Sequence, residues 1–157
     1  MQRKDQRTPT RVDLDAYNAI LKLTVYTMEA CKPKSKEDKA GKTVENHHHV
    51  PARYSHIGED IVREVINAGA YILEADKTYV GENIPADELR SHFRRRIELE
   101  DLAIGALYRA EHMIRALHDH RPFADSTITY WVSLIVNARN LVSGLRSRDK
   151  RVSKGIG

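Results

Sequence analysis

The side chains best suited to chemistry in this sequence are arginines and lysines in two separate clusters. In the segment LRSHFRRRIELED, Arg90 and Arg94 are four residues apart and therefore share a helix face, and Arg95 extends the charge sideways. The planar guanidinium of arginine matches phosphate oxygens, and a helix N-terminus also attracts anions. Glu98 and Glu100 follow at ion-pair spacing, so two interpretations are open: a phosphate contact or an ordinary salt-bridged helix face.

The second cluster lies at the end of the chain, in NLVSGLRSRDKRVSKGIG. If the last helix continues through it, spacings of seven, four and four place four cations near one stripe: Arg139, Arg146, Lys150 and Lys154. Arg148 and Arg151 flank that stripe. Such a surface predicts salt-dependent contact with nucleic-acid phosphates and little base specificity. We assign Tyr130 and Trp131 to the core, which argues against recognition of single strands by base stacking.

The sequence offers little for catalysis or metal binding. The three adjacent residues His47, His48 and His49 cannot all point at one metal from an extended loop. Glu111 and His112 are neighbours and diverge by about 100° on a helix. The predicted helices contain no Glu-x-x-His of the kind found in di-iron bundles. We expect no catalytic residues, no metal site, no cofactor and no enzyme activity.

Two other groups are predicted to be structural. Four acids lie in the middle of the third helix, with Glu100 near its core side, and we expect ion pairs with arginines of a neighbouring helix or subunit: Glu98, Glu100, Asp101 and Glu111. Cys31 is the sole cysteine, so we expect a thiol in the core or at its boundary.

Composition favours one folded domain in contact with water. The chain has 157 residues, of which 41% are hydrophobic and 31% are charged. No apolar run approaches the roughly 20 residues needed to span a bilayer. The charged N-terminus is not followed by the apolar segment of a secretory signal, so we expect a cytoplasmic protein without membrane contact.

The apolar periodicity predicts an all-α fold, an antiparallel four-helix bundle. The expected helices begin near Asp13 or Asp15, near Ala52 or Tyr54, at Pro85, and at a cap formed by Asp125 or Ser126. We divide the chain into a basic tail (1–12), the bundle (13–148) with a mobile loop at 33–52, and a second basic tail (149–157). Gly58 and Gly69 predict close helix approach, and Gly144 predicts either close packing or a helix end.

The sequence resembles a small bacterial four-helix-bundle family. That family includes the accessory variability determinant proteins of diversity-generating retroelements and proteins encoded in insertions within ribosomal RNA genes. The resemblance covers roughly residues 12–151 and is carried by LDAYNAILKLTVYTMEACKPK, VPARYSHIGEDIVREVINAGAYILEA and YWVSLIVNARNLVSGLRSRDKR. Members open helix 2 with a proline and a basic residue, here Pro51 and Arg53. They end helix 4 with a small-residue turn, a large apolar residue and basic residues, here 141–146.

The resemblance implies a basic, barrel-like homopentamer that binds a reverse transcriptase together with template RNA and RNA/cDNA. Such a protein supports mutagenic reverse transcription without being an enzyme. With Arg53 added, the predicted nucleic-acid contacts are Arg53, Arg90, Arg94, Arg95, Arg139, Arg146, Arg148, Lys150, Arg151 and Lys154. The residues expected between subunits, because they fall off the main stripes, are Leu99, Leu134, Val136 and Leu141. The alternative is a bundle that serves as a protein-interaction or scaffold module without nucleic-acid binding.

Overall fold

The computed structural model describes residues 11–32 and 50–156, and all regular structure within them is helical. Four α-helices are present, preceded in one case by a short 3-10 helix at Ala52–Tyr54. Their bounds are α1 Arg11–Ala30, α2 Ser55–Lys77, α3 Ala86–His120 and α4 Asp125–Lys154. The predicted all-α class is confirmed for the described residues.

Each helix packs against two neighbours, α1 against α2 and α4, and α3 against the same two. Trp131 Nε1 at the start of α4 donates to Thr27 Oγ1 near the end of α1, and Arg96 near the start of α3 pairs with Asp149 near the end of α4, as in antiparallel helices. Helices α2 and α3 are also antiparallel, because Glu64 pairs with Arg109 and Glu74 with Arg95. These contacts are those expected of an antiparallel four-helix bundle. As a result, the end of α2, the start of α3 and the end of α4 lie together at one end of the molecule.

The core is built from small and branched side chains on one stripe of each helix. Its buried members include Ile20, Leu23, Ile61, Val65, Leu107, Ile114, Trp131, Ile135 and Val142. Leu99 and Leu134 are also buried within this chain, so their predicted place between subunits is wrong. In α3 the alanines at 103, 106 and 110 share the buried stripe, which brings Leu99 into it as well.

The glycine predictions had mixed outcomes. A Cβ on Gly58 would lie 3.2 Å from Cys31 Cβ, and one on Gly69 would lie 3.4 Å from Ile20 Cγ2. Close approach of α1 and α2 is therefore confirmed. Both predictions for Gly144 are wrong, because α4 continues to Lys154 and nothing lies within 4 Å of a Cβ built there.

The predicted boundaries shift at several points. Ala124, not Asp125 or Ser126, occupies the cap position of α4, and it makes no side-chain capping bond. The predicted loop at 33–52 is anchored at its end, since Val50 is buried and its N–H donates to Ala30 O at 2.7 Å. Residues 33–49 lie outside the described part of the chain. The boundary predicted at 148–149 falls inside α4, where Asp149 is buried.

Candidate nucleic-acid interface

The fold brings the two basic clusters of the sequence together at one end of the bundle, which we call the basic end. It is defined by Arg90, Arg94 and Arg95 near the start of α3 and by Arg146, Arg148, Lys150, Arg151 and Lys154 near the end of α4. The link is direct, because Arg96 Nε lies 3.0 Å from Asp149 Oδ2 and Arg146 pairs with Asp101. Clusters separated by about fifty residues of sequence thus form one surface.

The α3–α4 register sets which cations lie opposite one another. Because the two helices are antiparallel and Arg96 meets Asp149, Arg94 lies within about one turn of Lys150, and Arg90 within about one turn of Lys154. Arg146 follows along the same side of α4. From this register we infer that these side chains lie along the outer groove between the two helices, which we call the α3–α4 groove.

Several of these cations already have acidic partners. Arg90 pairs with Asp87, and Arg95 lies 2.8 Å from Glu74 and 3.9 Å from Glu98. These pairs have largely exposed members, and exposed pairs contribute only about 0–1 kcal/mol. An arginine held this weakly can exchange a carboxylate for a phosphate.

Four exposed cations of the basic end make no ion pair with any acid in the described ranges 11–32 and 50–156: Arg94, Lys150, Arg151 and Lys154. Arg94 lies on α3, and the other three lie in the last two turns of α4. They are the surplus positive charge of the basic end. Acids are also present there: Asp87 pairs with Arg90, Asp101 with Arg146, and Glu98 lies 3.9 Å from Arg95. The unneutralised positive charge is therefore that of these four cations rather than of the whole end.

Asp149 and Arg96 were missed as functional candidates. Asp149 is 2% exposed and Arg96 4%, although both stand in strongly charged sequence. The spacing of α4 does indicate the buried position of Asp149, because Val142, Leu145 and Asp149 fall on one helical stripe. Glu100 is fully buried one turn from Arg96, which confirms its predicted place near the core.

Arg139 lies away from the basic end and is engaged with α3. Its side chain is 15% exposed, Nη1 donates to Glu111 Oε1 at 2.9 Å, and the guanidinium lies 4.1 Å from the Tyr108 ring centroid. Burial alone would raise the pKa of Glu111, but hydrogen bonds and charges from Arg139 and Arg115 outweigh it and lower that pKa. Arg139 and Arg146 therefore both face α3, as the predicted stripe requires, but Arg139 is engaged with Glu111 and Tyr108 about two turns away from the basic end.

Arg53 lies at the opposite end, just before α2, with its guanidinium 5.3 Å from the Tyr54 ring centroid. Of the ten predicted contacts, the structure gathers eight at the basic end and separates Arg53 and Arg139 from them.

The aromatic residues lie mainly at the opposite end. Trp131 is buried as predicted, whereas Tyr130 is exposed and packs edge-on against Tyr26, so its predicted core position is wrong. Tyr79 is an exposed aromatic side chain near the basic end, and its ring occupies the space that a Cβ on Gly81 would need. Tyr79 precedes α3 on the α2 side, so it does not belong to the α3–α4 groove.

The remaining reactive groups give no assembled centre. Within residues 11–32 and 50–156, no three His, Cys, Asp or Glu side chains form a group that could hold a metal. His47, His48 and His49 lie outside those ranges. Cys31 is half-buried at the edge of the core, which confirms the boundary position, and burial raises the pKa of its thiol to about 12. In the described part of the chain, no helix combines the length and apolarity that crossing a bilayer requires.

Comparison with known proteins gave no match: no family model, curated protein or solved structure is similar to this chain at a significant level.

Proposed function

We propose that this chain is a non-enzymatic accessory factor of a diversity-generating retroelement. It binds the reverse transcriptase and the template RNA and RNA/cDNA, and it supports mutagenic reverse transcription. The observation that carries the nucleic-acid contact is the convergence of Arg94 with Lys150, Arg151 and Lys154 at the basic end. The reverse transcriptase partner comes from the sequence resemblance.

The proposed contact is with the phosphate backbone. Cations spaced along the α3–α4 groove neutralise successive phosphates and release condensed counterions, which lowers the logarithm of affinity by about 0.9 per phosphate for each tenfold rise in salt on duplex DNA. The groove contains no aromatic platform among its defining residues, so backbone contact is favoured over stacking of single-stranded bases.

We further propose that copies of the chain assemble, with a homopentamer as the form that the resemblance implies. Large apolar side chains beside the α1–α2 seam are 40–57% exposed: Leu21, Val25, Met28, Ile66 and Leu73. They lie next to the position where Ile20 approaches Gly69. A patch of this kind is uncommon on a monomer and supports contact between subunits.

The nucleic-acid proposal is tested by reversing the four surplus cations together: Arg94→Glu, Lys150→Glu, Arg151→Glu and Lys154→Glu. Binding of a fluorescent 20-bp RNA duplex is followed by anisotropy across a salt series. We expect the affinity of the wild-type chain to fall steeply with salt. The variant should not bind at any salt concentration in the series. Arg146 and Arg148 are kept, because they pair with Asp101 and Asp149.

A matched control reverses four exposed cations outside the basic end and changes the net charge equally: Lys22→Glu, Lys32→Glu, Arg53→Glu and Arg121→Glu. The proposal predicts that this control keeps most of the affinity. Equal loss in both variants would show that net charge alone governs binding and would reject the groove. Co-purification of a reverse transcriptase and its RNA with the wild-type chain, but not with the groove variant, tests the partner.

The second candidate function is a protein-interaction or scaffold module, which the exposed apolar side chains of α1 and α2 favour. It predicts no salt-sensitive RNA binding. It also predicts that Val25→Glu with Ile66→Glu abolishes capture of a protein partner. Retained capture after those two changes counts against it.

A further inference from the structure

One buried ion pair joins the two halves of the basic end. Arg96 Nε lies 3.0 Å from Asp149 Oδ2, and both side chains are almost completely shielded from water. Asp149 Oδ1 also lies 3.7 Å from Arg148 Nη2. Asp149 is the one acid in the basic run 146–154, and it points inward while Lys150, Arg151 and Lys154 are exposed.

The same arginine also holds the end of α2. Arg96 Nη1 donates to Ala75 O at 2.9 Å, in the last turn of that helix, where Thr78 N–H donates to the same oxygen at 3.1 Å. A cation at a helix C-terminus is favoured by the helix dipole. A single guanidinium on α3 therefore ties together the ends of α2 and α4.

The last turns of α4 need such a tie. Five cations lie within nine residues, and like charges one turn apart repel: Arg146, Arg148, Lys150, Arg151 and Lys154. The register set by Thr27 and Trp131 brings Arg11 about level with Ser147. Among the described residues, the final two turns of α4 thus lie beyond the start of α1, and their buried contact is with α3.

We propose that Asp149 and Arg96 are positioning residues for the basic surface, an inference that rests on the nucleic-acid contact proposed above. Their pair orders the last turns of α4, so that Lys150, Arg151 and Lys154 meet phosphates as a fixed row beside Arg94. Without the pair, the helix end frays, and each phosphate contact must first order a flexible segment.

One substitution separates the effect of charge from that of position, because the two predict opposite changes in duplex affinity. Asp149→Asn removes a negative charge from the basic run, so electrostatics alone predicts tighter duplex binding. If the pair positions the row, affinity for the 20-bp RNA duplex instead falls several-fold. Amide hydrogen exchange at 147–154, measured without RNA, should accelerate tenfold or more.

Asp101→Asn is the matched control, because Asp101 is exposed and pairs with Arg146 on the same groove. It removes the same charge without touching the buried pair, so affinity should rise and exchange at 147–154 should stay as in the wild type. Arg96→Lys keeps the net charge but lacks the fork that spans Asp149 and Ala75. It should show a smaller fall in affinity and a smaller acceleration of exchange at 147–154. It replaces Asp149→Asn if circular dichroism shows that Asp149→Asn is unfolded.

Tighter binding by Asp149→Asn, or unchanged exchange at 147–154 in both buried-pair variants, overturns the positioning role. The two proposals fail separately. If the wild-type chain does not bind the duplex, the nucleic-acid contact is rejected, and Asp149 and Arg96 then have no binding surface to position. If the duplex binds but the buried-pair variants bind like Asp101→Asn, only the positioning role is rejected.

Discussion

The two ends of the bundle are held together by different interactions. At the opposite end, Trp131 is 1% exposed, its ring centroid lies 6.0 Å from Tyr26 and 6.2 Å from Phe123, and its N–H donates to Thr27 Oγ1 at 3.0 Å. At the basic end, a buried ion pair occupies the equivalent core position on α3 and α4. Aromatic packing thus secures one end, whereas at the end that carries the exposed cations a buried ion pair lies in the core beside Phe93 and Leu145.

The largest effect is expected at the packed end. Trp131→Ala removes a buried indole, its ring contacts and its hydrogen bond, and should lower the free energy of unfolding by about 3–5 kcal/mol. Urea unfolding followed by circular dichroism measures it. Thr27→Val removes the hydroxyl that accepts this bond and donates to Leu23 O, and it should cost about 1–3 kcal/mol. Equal costs for the two changes would mean that the hydrogen bond, not packing, secures this end.

At the basic end, the adjacent arginines of α3 provide an internal comparison. Arg96→Leu leaves Asp149 buried without its main partner, and breaking a buried pair costs about 3–5 kcal/mol. Arg94→Leu changes an exposed residue and should stay within about 0.5 kcal/mol of the wild type. The same unfolding assay compares them. Similar stability of the two variants would contradict an ionic core at the basic end.

Much of the architecture could be predicted from the sequence, because apolar residues recur at helical spacing and prolines interrupt them. The inward positions of Arg96 and Asp149 could not be predicted from residue type, since charged side chains are normally assigned to the surface. Leu99 was misplaced for a related reason: alanines give a weak hydrophobic signal, so the true stripe of α3 was hidden. The position of Arg94 opposite Lys150 depends on the register of α3 and α4, which no local sequence pattern predicts.

Two glycines distinguish the close packing of one end from the open surface nearer the other. Gly144→Ala adds a methyl where nothing lies within 4 Å, so helix propensity should stabilise the fold by up to about 1 kcal/mol. Gly58→Ala gains the same propensity but places Cβ 3.2 Å from Cys31 Cβ, and overpacking typically costs about 1–3 kcal/mol. Thermal unfolding should therefore rank Gly144→Ala above Gly58→Ala. The reverse order would show that α1 and α2 are not tightly packed at Gly58.

The smallest expected effect is on the pH dependence of stability, through Glu111, which lies midway between the ends. The partners Arg139 and Arg115 lower the pKa of Glu111 in the folded chain, so its ionised form contributes stability at neutral pH. That contribution is fully present above the unfolded pKa of about 4.3 and is lost as pH falls through the lower folded value. Glu111→Gln should reduce stability at pH 7 and flatten the acid side of the stability profile. Unchanged acid dependence would show that the pair with Arg139 adds no net stability, leaving the buried pair at the basic end as the ionic contact that matters.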